Sequence, residues 1–264
     1  IAEGIMPGPR IRACSHHIGT TADLNDSQLW WKRYTTPGID LFADGPEDLR
    51  KLVREEIRRG AQTIKIFASS GRGFNGRTMR NIARDELTAV VNTAHDLGTR
   101  VRAHVCDKAM ILECIELGVD VIDHGDGIDG ECIDAMCDAG TFWVPSLTYP
   151  KLLLELGWDG DGSVRAQYEN ARAMLPLDHQ VGCYGREFAY YGGVDGLGAA
   201  EVLSWGTKNA GELLVDGPAE VGVIKPGALA DLIVVDGDPL ADLSLLAQPK
   251  SSLKAVIRDG VFVI

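Results

Sequence analysis

Three short apolar runs alternate with two amphipathic stretches in the middle of the chain. The runs cover residues 63–68 (Thr-Ile-Lys-Ile-Phe-Ala), 99–105 (Thr-Arg-Val-Arg-Ala-His-Val) and 119–125 (Val-Asp-Val-Ile-Asp-His-Gly). Between them, Leu87, Val90, Val91 and Ala94, then Met110, Ile111, Cys114 and Ile115, recur at helical spacing and stop at Gly98 and Gly118. The pattern predicts β-α-β-α-β. Right-handed crossovers bring successive parallel strand ends to one face, so Lys65, His104 and His124 are expected to converge there. Active sites of α/β barrels sit at that face.

The rhythm extends both ways. Residues 46–62 carry Glu47 and Asp48 in a first turn and Leu49, Leu52, Val53 and Ile57 on one face, which predicts a helix. Downstream come a helix over 129–140, a strand over 141–147 and a helix over 163–177. A strand should follow, yet residues 178–193 contain no β-branched apolar run before a helix over 199–214. The last fifty residues are β-rich with glycine turns, Asp-Gly at 236 and 259 among them, and read as a small appended sheet.

Near the start, a short strand over 10–14 is expected to run into a turn-rich loop, 15–21, holding His16 and His17. That loop is either substrate-contacting or metal-proximal, or it holds two ordinary histidines. Trp30 and Trp31 either cap a pocket or pack beneath a long loop. Residues 69–76 (Ser-Ser-Gly-Arg-Gly-Phe-Asn-Gly) have the glycines of a phosphate cradle but lack the Gly-Lys-Ser/Thr ending of a P-loop.

With 264 residues and 45% hydrophobic content, the chain has material for one α/β barrel or two smaller domains. The net charge of −12 opposes binding to nucleic acid or an anionic membrane surface. No apolar run approaches the ~20 residues that span a bilayer. The six cysteines show no paired Cys-x-x-Cys spacing and read as reduced thiols, as in a cytoplasmic protein.

A lysine inside an apolar strand must be compensated, because desolvation disfavours the ammonium. Lys65 either snorkels, pairs with a carboxylate such as Asp123, or reacts with carbon dioxide to give a carbamate that bridges two divalent metals. His104 and His124 at neighbouring strand ends are a donor pair suited to zinc.

Four segments carry a resemblance: Ile64-Lys65-Ile66-Phe67, Ala103-His104-Val105, Ile122-Asp123-His124-Gly125, and residues 222–236 with their Lys-Pro-Gly-x-x-Ala-Asp-Leu sequence. Together they resemble the amidohydrolase superfamily, in the branch of imidazolonepropionase-like and prolidase-like enzymes. The resemblance implies a TIM-type (β/α)8 barrel, incomplete in this chain, over residues 1–214. The first strands and the eighth would be lacking, and residues 215–264 would be the C-terminal part of a small β-sandwich. It further implies a divalent metal site, with zinc expected and two ions in the intact pattern. Lys65 would be carbamylated and bridging, His104 and His124 would be ligands, and a metal-bound hydroxide would attack the amide of a small molecule. A homo-oligomer is expected.

The chain departs from that pattern in three places. It has no His-x-His, the strand that would bring an acid/base aspartate is missing after Leu177, and Cys106 stands where prolidase-like members carry a tyrosine contacting the substrate carboxylate. Asp178 and Asp195 follow no convincing strand. The leading expectation is a metal-dependent amidohydrolase, the alternative a non-catalytic barrel serving binding or assembly, and a third reading a phosphate-binding barrel using residues 71–76.

Overall fold

The computed structural model describes residues 5–23, 25–26, 38–70, 78–177, 181–182, 187–216 and 220–263. Trp30, Trp31, the glycine loop 71–76 and Asp178 lie outside the described residues.

The first part of the chain runs β1 (Cys14–Gly19), β2 (Asp40–Phe42), α1 (Pro46–Arg58), β3 (Thr63–Phe67), α2 (Arg84–Asp96), β4 (Arg100–Val105), α3 (Lys108–Glu116), β5 (Val121–His124), α4 (Gly130–Ala139) and β6 (Phe142–Val144). The six strands form one parallel sheet in the order β2-β1-β3-β4-β5-β6. This is an incomplete TIM-like barrel. Ile64, Ile66, Val101, Ala103, Val105 and Ile122 are fully buried and form one core with Leu49 and Val53 of α1 and Leu87, Val90 and Val91 of α2. Burying side chains of this size contributes on the order of 1.5–3 kcal/mol each, enough to fix which face of every strand meets the helices.

Local chemistry sets the helix boundaries. Gly45, at φ 82°, precedes Pro46 in the first turn of α1, where a missing N–H costs nothing. Asp107 and Asp129 cap α3 and α4 by accepting the backbone N–H of Met110 and Cys132, both at 3.2 Å. α4 ends at Gly140 in the left-handed conformation, φ 71°.

One expectation about strands is revised. His16 and His17 lie on a strand and not in a loop, because β1 begins at Cys14, with a register shift against β3 between Cys14 and His17. The expected strand over 10–14 is therefore displaced towards the C-terminus. After Leu177 the described residues show one isolated parallel bridge, Trp143 to Val181, with the Gly182 N–H donating to the Trp143 carbonyl at 2.8 Å. Asn209 holds that bridge through Nδ2 to the Val181 carbonyl at 2.9 Å.

α5 (Thr148–Glu155), α6 (Ser163–Met174), a 3-10 turn at Leu175–Leu177 and α7 (Glu187–Tyr191) follow. α8 (Ala199–Ser204) continues through a π turn at Trp205–Asn209 into α9 (Ala210–Leu214). β7 (Leu232–Val235), a short α10 (Pro249–Ser252), β8 (Leu253–Arg258) and β9 (Val261–Phe262) complete the chain, the three strands forming a separate antiparallel sheet. Asp259 and Gly260 turn β8 into β9 with both φ angles positive, 51° and 78°, as a tight hairpin requires.

Cys106, Cys114 and Cys132 are buried and Cys14 and Cys137 exposed, none of the five in a disulfide. Among the described residues, no helix is long and apolar enough to cross a membrane.

Gly211 in α9 lies against the backbone of the next segment, and a Cβ there would overlap the Val221 carbonyl oxygen. Gly211→Ala is expected to destabilise the fold by about 1–3 kcal/mol in urea unfolding, as overpacking against rigid backbone does.

Candidate functional site at the barrel mouth

The two-residue period of the strands builds the interior of the barrel. On β3 the side chains that alternate with Ile64 and Ile66 are Lys65 and Phe67; on β4 they are Arg102 and His104; on β5 Asp123 follows the same alternation. Register aligns Lys65 with Arg102 and His104 with Asp123. Reach then decides the pairing. Lys65 Nζ ion-pairs with Asp123 Oδ2, and Arg102 donates from Nε to the same carboxylate at 2.7 Å and from Nη2 at 2.6 Å. One buried carboxylate therefore pairs with two cations from adjacent strands.

Burial alone would raise the Asp123 carboxyl, but the charge of Lys65 and the hydrogen bonds and charge of Arg102 outweigh it, lowering the carboxyl from 3.8 to about 2. Burial also lowers the Lys65 ammonium, and Asp123 opposes that shift.

The histidines stand above this layer, at the C-terminal strand ends. The rings of His104 and His124 meet edge to face at 4.6 Å, and Phe67 stacks on His104 at 4.7 Å. Burial, then the neighbouring His124 and Lys65, push His104 down to about 2, so its imidazole is neutral at any ordinary pH. Burial lowers His124 as well. His124 holds a left-handed backbone, φ 66°, that few non-glycine residues adopt, and its carbonyl accepts the Trp143 indole N–H at 2.8 Å. The Cys106 thiol lies 3.7 Å from Nε2 of His104.

Lys65, His104 and His124 thus converge at one mouth. Of the two N-terminal histidines, only His17 joins them, 5.2 Å from the Phe67 ring and 3.3 Å from Asp40 through Nδ1. His16 points the other way, with its backbone N–H and Nδ1 held by Glu56 of α1 at 2.9 and 2.8 Å. Arg102, Phe67 and Trp143 were not singled out from the sequence. The Lys-x-Phe and Arg-x-His alternations of β3 and β4 carried the signal for the first two.

An amidohydrolase family model matches residues 1–263. The chain belongs to the amidohydrolase family. It is 27% identical to the ochratoxinase of Aspergillus niger over 258 residues, covering 89% of this chain and 52% of that protein. Two solved structures are similar: a prolidase complexed with N-methylphosphonate-L-proline, TM-score 0.84 and 28% identity, and a Xaa-Pro dipeptidase with bound methionine, TM-score 0.82 and 25% identity. The chain is covered to 99% in both, against 71% and 70% of theirs. It spans about half the length of the curated ochratoxinase it matches.

Family membership makes the expected metal centre testable on the donor set, and the donors do not fit. Among the described residues, no three His, Cys, Asp or Glu side chains gather to hold a metal ion. The expectation of a metal-dependent amidohydrolase, with zinc ligated by Lys65, His104 and His124 and a carbamate on Lys65, is therefore corrected. The physical reason lies in the ion pairs. A carbamate on Lys65 would place a second anion against Asp123, replacing attraction by repulsion where both groups are buried. His104 is meanwhile occupied by Phe67 on its face and the Cys106 thiol at Nε2.

Asp123→Asn would leave Lys65 and Arg102 without their shared counter-charge. The expected loss is about 3–5 kcal/mol in denaturant unfolding. Because the folded carboxyl titrates near 2 and the ordinary value is 3.8, its stabilisation is present above 3.8 and lost as pH falls between the two. Acid titration of stability should show that loss in the parent protein and a flatter profile over the same window in Asp123→Asn.

Proposed function

We propose that this chain is a non-catalytic member of the amidohydrolase family, a barrel module that binds a small amide-bearing molecule at its mouth. The observation that carries the reading is the engagement of Lys65 and Arg102 by Asp123. The position that would bridge two metals is used as structural charge, and the mouth above it presents neutral imidazoles and an aromatic face.

His104, His124 and His17 are the proposed ligand-facing groups, with Lys65 beneath them held by Asp123. Phe67 supplies apolar area and the imidazoles supply one donor or acceptor each, a combination suited to an amide with an apolar substituent. Ligand class follows the relatives, one named for ochratoxin, others a prolidase with a proline phosphonate and a dipeptidase with methionine. N-acyl amino acids and dipeptides are the class proposed. Residues 1–214 as barrel and 215–264 as a small β-domain are part of this proposal, as is a homo-oligomer. The free thiols support a reducing, cytoplasmic setting.

Calorimetric titration with a panel of N-acyl amino acids and dipeptides tests the reading, with elemental analysis of the purified protein alongside. Binding without added metal, no hydrolysis of the bound compound, and weakening by roughly ten-fold or more in Phe67→Ala are expected. Stoichiometric divalent metal with turnover would contradict it.

A further inference from the structure

Six of the ten residues from Tyr149 to Trp158 are large and apolar. The helix at their centre, α5, nevertheless buries none of its eight residues. The barrel helices behave otherwise, α2 burying six residues, α3 four and α4 three. Tyr149, Leu152 and Leu156 recur at i, i+3 and i+7, so they share one face of the helix. They stand 61%, 50% and 56% exposed. Gly157, left-handed at φ 73°, ends the helix, and the Trp158 N–H turns back to the Leu153 carbonyl at 2.9 Å. Trp158, 67% exposed, therefore stands beside the last turn.

The size of this face fits a protein contact. At these exposures the four side chains present roughly 500 Å² of surface, near the top of the range for the largest apolar patch of a monomer. The flanking Lys151 and Glu155, both about half exposed, bring it close to the ~800 Å² that each partner gives to a stable interface.

Charge selects the occupant. With −12 over the whole chain, an acidic protein or an anionic bilayer is repelled. An eight-residue helix with one lysine is also far from the basic amphipathic helix that lies on a membrane. Lys151 and Glu155 stand one turn apart, 3.8 Å between their charged atoms, and Lys151 also lies over the Tyr190 ring. Neither charge needs a new partner. What matters is that an antiparallel copy of α5 meets this edge with the order of signs reversed, so no like charges are opposed. A parallel copy would set lysine against lysine. Antiparallel packing is what a two-fold axis across the helix produces, and two-fold contacts are the commonest way for identical chains to pair.

We propose that α5 is the self-association surface of this chain. Two copies pack their α5 helices antiparallel across a two-fold axis and bury Tyr149, Leu152, Leu156 and Trp158, with Tyr149 against Leu156 of the partner subunit. The inference rests on the homo-oligomer of the reading above and names its interface.

Sedimentation velocity of the full chain over a wide range of concentration tests it. The parent protein is expected to dimerise, and Leu152→Glu, which puts a carboxylate into the contact from both sides, to weaken association by roughly a hundred-fold or more. Lys151→Glu should weaken it by about ten-fold, and Lys151→Glu combined with Glu155→Lys should restore it. Leu152→Cys, near the two-fold axis, should cross-link two chains on oxidation more readily than the parent, whose exposed cysteines are Cys14 and Cys137. Leu152 is half exposed, so Leu152→Glu leaves the core untouched; thermal unfolding reports its fold, and if it is unfolded the cross-link decides. A parent protein that is monomeric at every concentration, with or without binding to neutral lipid vesicles, would overturn the interface and the oligomer together. A dimer kept in Leu152→Glu, or lost in Ile233→Glu on the exposed small sheet, would overturn the interface and leave the oligomer standing. Amide titration of Leu152→Glu reports on the mouth separately, and binding there is expected to be unchanged.

Discussion

The barrel interior is organised by one carboxylate between two cations. Lys65, Arg102 and Asp123 come from three consecutive strands, and all three must be in register for the charges to meet. A one-residue slip of β4 would turn Arg102 and His104 into the helix layer and bring Val101 and Ala103 inward. Breaking such a buried group by removing one partner is strongly destabilising, so the triad constrains the alignment of the central strands as much as the aliphatic core does. The mouth depends on it too. With Lys65 drawn to Asp123, the surface above is left to Phe67 and two neutral imidazoles.

That arrangement separates family from chemistry. The chain has the fold and the sequence signature of the amidohydrolases, yet activity on a barrel resides in the groups at the strand ends and not in the scaffold. The sequence resemblance implied metal-bridging and metal-binding roles for Lys65 on β3, His104 on β4 and His124 at the end of β5. The same lysine faces Asp123, and its charge is consumed there. Two residues from His104, Cys106 places a thiol, raised well above its usual range by burial, beside the imidazole nitrogen.

Much of this was legible from the residues. The helices at 46–58, 84–96 and 108–116 carry full apolar stripes and stop at glycine or proline signals, and their strands are short apolar runs between them. Asp123 was already a possible partner for Lys65, because a buried ammonium must find a carboxylate. Other parts were hidden for identifiable reasons. β1 holds Ser15, His16 and His17, so its strand character shows only in Ile18 and in the pairing with β3. After Leu177 the described residues show only the Trp143–Val181 bridge, and no apolar run marks it in the sequence. Arg102 was not singled out, since nothing local reveals that it reaches a carboxylate twenty-one positions away.

The state of Lys65 is the point on which the account turns, and it can be observed directly. Carbon-13 NMR of the protein equilibrated with labelled bicarbonate, with and without added zinc, reports carbamate at a lysine. Held against Asp123 beside Arg102, Lys65 should give no lysine carbamate resonance under either condition. A carbamate signal that is lost in Lys65→Arg would show that the amine is free to react and that the ion pair is not its resting partner, contradicting the central claim.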